Sequence, residues 1–357
     1  MATRGQPHAA LVRGTDAPAS AARVPAACCH VAIEHPRFTW QDGERAIHFG
    51  RGAIASAPQL LGDGYTLLTT PRASAMAPGL ATRAGTLHEV AAGRVDELAG
   101  ELLGAVDPRE LIVALGGGRV IDVAKALAAA RPLGSRPRVA AVPTTLSAAE
   151  MTAVHRRAAG ADGSLPGVRP AIVINDPALS ASQPAVALAA SAANALGHAA
   201  EGPATIRASP VPALAGREAA RLIGVAYEDG ERPDRDALAL GALLSGYAID
   251  SGGYGLHHVL SQTLARLAGV AHGQANASML PHTLGALERR GVAGAAALVA
   301  LATDLARRAE ASRLRDLGVD ESALDACADA AAPRAELDLI PPRPDRDELR
   351  ALYGAAW

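Results

Sequence analysis

His198, His257, His258, His272 and His282 all fall in the second half of the chain, in the segments SAANALGHAAE and LHHVLSQTLARLAGVAHGQANASMLPH, and Asn194 stands four residues before His198. On a helix an i, i+4 pair projects from one face, so Asn194 and His198 address the same space. Imidazoles brought together from separate helices make a divalent-metal site of the kind Zn or Fe occupies. Such sites usually include an anionic oxygen, and here the position able to supply one carries an amide. A neutral amide weakens the hold on a hard divalent cation. Three imidazoles alone can still hold Zn or Fe with one position open, where the ion would polarise a carbonyl or lower the pKa of an alcohol. Without an ion, the same imidazoles would give hydrogen bonds or a proton to a developing alkoxide. The residues leave both chemistries open.

The elements that must position these groups change character along the chain. YTLLTT (from Tyr65), LIVALGGG (from Leu111), RVAAVPTT (from Arg138) and PAIVIND (from Pro170) are short apolar runs ended by turn chemistry, and helical stretches such as GRVDELAGELLGAV lie between them. Strands alternating with helices predict βαβ units and a parallel sheet covered on both faces. After about Ser180 the strand signals stop, and Ala- and Leu-rich helices punctuated by Gly and Pro take over. The expected organisation is a tail over residues 1–30, an α/β nucleotide-binding domain over 31–179 and an all-α metal or substrate domain over 180–357. The fold class is α/β plus all-α. AGADGSLPGV (from Ala159) and EDGERPDRD (from Glu228) are expected surface connections.

A length of 357 residues exceeds one ordinary core. The formal net charge of -2 gives no electrostatic footprint for nucleic acid or an anionic membrane. No apolar run reaches the length of a membrane span. The Ala-, Arg- and Pro-rich N-terminus lacks a compact apolar stretch with a cleavage site, which predicts a disordered tail rather than a signal peptide. Cys28, Cys29 and Cys327 do not make a disulfide framework, so a reducing cytoplasm is the expected compartment.

LIVALGGGRVIDVAKALAAA reads as strand, triple-glycine turn and helix. Gly116, Gly117 and Gly118 allow close backbone approach to a ligand, and the helix N-terminus that follows favours a phosphate. Asp122 and Lys125 fall in the first turns of that helix. A ligand-free βα turn would have the same sequence, and the spacing matches neither G-x-G-x-x-G nor a P-loop.

Taken in order, GGGRVIDVAK, PTTLSAAEMT, NDP, NALGH, HH and AHG before LPH resemble the iron-containing (group III) alcohol dehydrogenase superfamily, whose members typically show GGGSxxDxAK, PTTxGTGSE, DP and a metal site of one Asp and three His. The resemblance runs from about Phe49 to the C-terminus. The variant details, an Asn at the first ligand position and a paired HH, resemble the maleylacetate reductase branch, whose members are generally regarded as metal-independent. The resemblance implies a dehydroquinate synthase-like fold, with a Rossmann-like nucleotide domain facing a helical domain across a cleft. It places Gly116, Gly117, Gly118 and Asp122 around the pyrophosphate of NAD or NADP, with Lys125 on the same helix and Thr144 and Thr145 bordering the nucleotide. Thr70 stands where NAD-specific members carry an acid, and Arg72 follows, which would accommodate a 2'-phosphate. The carried-over metal ligands for Fe or Zn are Asn194, His198, His258 and His272. Gln262 replaces a family histidine near the reacting carbon, and His257 is expected to be structural.

The implied activity is hydride transfer between NAD(P) and a small alcohol or carbonyl, with a keto or hydroxy acid as the expected substrate. Arg156 and Arg157, in MTAVHRR, are the candidates to hold a substrate carboxylate, against a charged surface helix face as the alternative. Two rival readings are an oxidative decarboxylase acting on a β-hydroxy acid such as the C-terminal Thr of a peptide, and a degenerate paralogue that binds nucleotide without turnover. Glu150 and Glu201 carry no assignment, and Asp250 is read as a cap or a solvated helix end. Superfamily members commonly form dimers, so a homodimer is expected.

Overall fold

The computed structural model describes residues 38–107, 111–162, 164–230 and 232–357. The expected tail over 1–30, with Cys28 and Cys29, lies outside the described residues. Seven described strands form one sheet: β1 (Phe38–Asp42), β2 (Arg45–Phe49), β3 (Tyr65–Thr69), β4 (Ala84–Glu89), β5 (Ile112–Gly116), β6 (Val139–Pro143) and β7 (Ile172–Asn175). Their spatial order is β1-β2-β7-β6-β5-β3-β4, with β1 antiparallel to β2 and every other pairing parallel. The strands β3, β5, β6 and β7 are buried along their whole length, as a sheet covered on both faces requires.

The helices are α1 (Ala57–Leu61), α2 (Pro71–Met76), α3 (Pro78–Ala81), α4 (Val95–Leu102), α5 (Gly118–Ala129), α6 (Ala185–Glu201), α7 (Pro210–Ala226), α8 (Arg235–Gly252), α9 (Leu256–Leu267), α10 (His272–Arg289), α11 (Ala295–Arg308), α12 (Ala323–Ala331) and α13 (Arg346–Ala356). One face of the sheet packs on α1, α2 and α3 through Leu61, Tyr65, Leu67 and Leu80. The other packs on α4 and α5 through Ala99, Val120, Ile121 and Ala124. The last strand ends at Asn175 and helices begin at Ala185. A continuous apolar cluster joins Ile47, Phe49 and Val173 of the sheet to Leu196, Leu222, Leu243 and Leu280 of the helices. No helix among the described residues is long and apolar enough to cross a membrane.

Polar groups reinforce the seam between sheet and helices. Asp250, on α8, accepts from the Ala153 amide at 2.7 Å and pairs with Arg169 at 2.5 Å. It ties a loop to a helix rather than capping or solvating one. Across the same seam, Ala148 is fully buried with φ 59, a left-handed conformation costly for a residue with a side chain. A Cβ on the facing Gly246 would sit 2.8 Å from the Ala148 methyl and 2.7 Å from Cβ of Met151, so α8 can approach this loop only as glycine.

Candidate active site

The glycine turn closes β5 and opens α5. Gly117 is the helix N-cap and offers no side chain to cap the first amides. Those amides are among the unsatisfied donors of a helix start and favour an anion. Space explains the glycines: a Cβ at Gly118 would lie 2.9 Å from Cβ of Ser147, one at Gly117 would lie 3.1 Å from Thr145, and one at Gly116 would lie 2.7 Å from Val120. Thr144 is buried and its amide donates to the Gly116 carbonyl at 3.0 Å, which holds the β6 exit against the turn. Thr145 is half-buried beside Gly117.

Lys125 is completely buried. Its ammonium donates to Asp122 Oδ1 at 2.8 Å, the Ala149 carbonyl at 3.0 Å, Thr152 Oγ1 at 3.3 Å and the Val154 carbonyl at 2.9 Å. Three N–H bonds meet four acceptors, so no donor is left for a phosphate. The lysine fixes α5 to the loop that follows β6. At the end of β3, Thr70 Oγ1 accepts from the Ala73 amide at 3.3 Å and caps α2, while Arg72 is exposed in the first turn with no partner among the described residues.

The histidines are set by α6, α9 and α10. Asn194 and His198 lie on the buried face of α6. His257 and His258 open α9, and His272 opens α10. The rings of His198 and His258 stack with centroids 4.7 Å apart and 17° between planes, and His257 meets His258 edge-on at 4.8 Å. This packing depends on Gly197, where a Cβ would lie 2.7 Å from Cδ2 and Nε2 of His257.

Glu201, unassigned from sequence, organises the cluster. It is wholly buried, accepts from the His257 amide at 2.6 Å and the His258 amide at 3.3 Å, and sits 2.6 Å from His258 Nδ1. The contact places the Nδ1 proton of His258 on the carboxylate and leaves Nε2 with its lone pair. Burial pushes Glu201 up, against the opposing pull of His257 and the backbone amides. Burial, with His272 adding to it, drives His258 down to about 3, and burial also carries His198 and His257 well below the usual histidine range. The rings are neutral at neutral pH. The signal in the sequence was the spacing of Glu201 three residues after His198, which puts it on the same helical face.

His272 keeps part of its surface exposed to water, yet enough protein surrounds the ring to desolvate it. Desolvation lowers its pKa, Asp122 opposes that shift and Arg156 adds to it. The α10 histidine is therefore within electrostatic reach of the α5 turn and of Arg156. Several buried polar atoms around the histidines have no partner: Asn194 Oδ1, His198 Nδ1, His257 Nε2 and His258 Nε2. Buried polar atoms are ordinarily satisfied, so this density of unpartnered ones marks a polar site rather than ordinary packing.

As a metal centre the set does not close. The stacked rings of His198 and His258 hold their lone pairs in two nearly parallel planes, and His272 Nε2 lies 3.2 Å from the Asn276 amide nitrogen. Among the described residues no three His, Cys, Asp or Glu side chains converge on a point able to hold an ion.

The remaining expectations separate. Gln262 accepts from Arg334 at 3.2 Å, within a network in which the Tyr254 hydroxyl donates to Glu336 at 3.0 Å, and Tyr254 stands 6.0 Å from the His258 ring. Gln262 is thus tied to the Arg334 and Tyr254 network beside the histidines rather than to a histidine. MTAVHRR is irregular chain rather than a helix, which corrects the surface-helix alternative. In it His155 Nδ1 donates to the Arg156 carbonyl at 2.8 Å and Nε2 accepts from the Val168 amide at 3.2 Å, a structural role. Arg156 is half-exposed and pairs loosely with Asp96 at 3.7 Å. Arg157 lies within electrostatic reach of Arg136 and Asp162, and its Nη1 is buried without a partner.

The C-terminal region of the Fe-containing alcohol dehydrogenase family matches residues 188–293, which take in most of α6, all of α9 and His198, His257, His258, His272 and His282. A maleylacetate reductase of Burkholderia cepacia is 30% identical over 348 residues, covering 87% of this chain and 95% of the relative. Another, from Rhizobium sp., is 28% identical over 352 residues, covering 90% and 97%. Among solved structures, the maleylacetate reductase of Agrobacterium tumefaciens is 27% identical with a TM-score of 0.74 and covers 90% of this chain and 98% of that one. A 1,3-propanediol oxidoreductase, 24% identical with a TM-score of 0.74, shares the fold.

Proposed function

From the premise that the chain belongs to the iron-containing alcohol dehydrogenase family, and is an oxidoreductase by that membership, we propose that it transfers hydride between NAD(P) and a small alcohol or carbonyl substrate that carries a carboxylate. The observation that carries this reading is the set of unpartnered buried atoms on Asn194, His198 and His258, together with the electrostatic reach between neighbouring His272 and Asp122 of α5, the helix whose start is uncapped.

The glycine turn fits a dinucleotide. Gly116, Gly117 and Gly118 leave a space that Cβ atoms would fill, and the α5 amides would bond its pyrophosphate. A bound nicotinamide supplies or accepts the hydride. In the oxidative direction the alcohol proton passes to His258 Nε2, and the Glu201 carboxylate on Nδ1–H steadies the imidazolium that forms. In reduction the same nitrogen, neutral at rest, relays a proton taken up from solvent to the oxygen. Asn194 and His198 stand one turn apart on α6, where they can hydrogen-bond the substrate oxygen. No step is assigned to a metal, because the ligand set does not close.

Arg156 is the proposed carboxylate anchor, because its charge reaches His272 while that of Arg157 acts on Arg136 and Asp162. Arg72, exposed in the first turn of α2 with no partner among the described residues, supports acceptance of NADPH beside NADH. Steady-state kinetics on keto acids and on matched uncharged ketones test the reading. Arg156→Ala is expected to raise KM for the keto acid by about 10- to 100-fold, the worth of a charged hydrogen bond, with little effect on the uncharged ketone. Equal losses on both substrates would remove Arg156 from the substrate site. Absence of turnover on either, with NADPH bound, would favour a nucleotide-binding protein without catalysis. Carbon dioxide released in step with NAD(P)H would assign oxidation of a β-hydroxy acid instead.

A further inference from the structure

A cavity of about 810 Å³ opens at the amino-terminal ends of β5, β6 and β7, opposite the strand ends that carry the glycine turn and Thr144. Leu60 and Leu61 of α1 and Ile172 of β7 give it an apolar wall, and Arg131, Arg136 and Arg138, from the connection between α5 and β6, give it a cationic one. Its volume lies in the range of small-molecule sites.

Many arginines of this chain are matched with a carboxylate, as in Arg51 with Asp236, Arg83 with Asp63, Arg290 with Glu348 and Arg346 with Asp325. Arg131, Arg136 and Arg138 have no such partner among the described residues. Arg131 donates to the Leu103 carbonyl at 3.1 Å, and Arg136 donates to the carbonyls of Arg131 and Pro166, each at 2.9 Å. Arg138 is exposed, with no hydrogen bond or ion pair among the described residues. Bonds to neutral carbonyls hold the guanidinium groups in place without cancelling their charge. Pro132 and Pro137 fix φ within the same short connection, so the loop is ordered before any ligand arrives. Like charges gathered at one cavity repel each other unless an anion joins them, and burial with the nearby charge of Arg157 already pulls Arg136 below its usual range.

We propose that this cavity is a second small-molecule site, separate from the catalytic cleft, for an amphipathic carboxylate whose head meets Arg136 and Arg138 and whose apolar body lies on Leu60, Leu61 and Ile172. Guanidinium forks suit a carboxylate bidentately, and the leucine wall selects against a small inorganic anion.

Calorimetric titration of the full chain with octanoate, with and without NADPH, tests the proposal. Saturable binding of one equivalent is expected, unaffected by NADPH and not displaced by inorganic phosphate. Arg138→Gln, whose side chain has no partner to lose, is expected to weaken octanoate binding at least about tenfold, the low end for a charged hydrogen bond, with the melting temperature and NADPH affinity unchanged. Leu60→Ser should weaken octanoate binding as well. No saturable binding, binding indifferent to Arg138→Gln, or competition with NADPH would each overturn the proposal. Displacement by inorganic phosphate would overturn the amphipathic assignment, since the head alone would then be recognised.

Discussion

Replacing Gly197 by alanine adds one methyl at the tightest point of the histidine cluster. The new carbon would lie 2.7 Å from Cδ2 and Nε2 of His257, roughly an ångström inside ordinary contact. His257 has little freedom to retreat, because its Nδ1 is bonded to Thr283 at 3.0 Å, its amide to Glu201 at 2.6 Å, and its ring abuts His258. Overpacking of this kind costs about 1–3 kcal/mol. Alanine in place of a helical glycine returns about 1 kcal/mol, so the net loss of stability is at most about 2 kcal/mol. Activity should suffer more. The displaced ring pushes on His258, and a misplacement of about 1 Å at a reacting group costs on the order of a hundredfold in rate. Thermal unfolding and turnover followed through NAD(P)H absorbance measure the two effects, and His257→Ala should cost less beside Gly197→Ala than alone, because the added methyl then has room. An alanine variant that retains turnover within about twofold and melts normally would refute a rigid stack beneath His258.

Lys125→Met strips one donor from four acceptors and should destabilise by about 3 kcal/mol, visible as an earlier denaturant midpoint. Weaker NADPH binding should accompany it as α5 loosens from its loop. Glu201→Gln removes the charge facing the Nδ1 proton of His258 and should cut turnover by about 10- to 100-fold with little change in NADPH affinity, checked by kinetics and fluorescence titration. Glu150 is buried with Oε2 unpartnered, and burial raises its pKa from 4.5 to about 7. The folded state therefore holds its proton more tightly, and stability should fall as pH rises from about 4.5 to about 7, then level off, by on the order of 3 kcal/mol at most. Glu150→Gln should flatten that slope in denaturant titrations across pH.

The central strands were legible because burial on both faces writes a continuous apolar run: LIVALGGG, RVAAVPTT and PAIVIND became β5, β6 and β7. The strand β4, AGTLHE, was not, since an edge strand largely open to water has no apolar pattern to betray it. The hairpin of β1 and β2 was missed as well, because FTWQD and RAIHF carry polar residues between the apolar ones. In the site, spacing placed Asn194 with His198 on one helix and predicted the glycine turn. It could not reveal that Lys125 is fully engaged, that Glu201 faces His258, or that Gln262 turns to Arg334. Those facts depend on where loops and helices distant in sequence cross, and no local period records them.

The meeting of Ala148 and Met151 with Gly246 limits which sequences can hold this seam. A methyl at 246 is shut out twice, by the Ala148 methyl at 2.8 Å and by Cβ of Met151 at 2.7 Å. Glycine at 148 would relieve the left-handed backbone and clear one of these contacts while leaving the other. Ala148→Gly is therefore expected to be tolerated, and Gly246→Ala to stay destabilising even beside it.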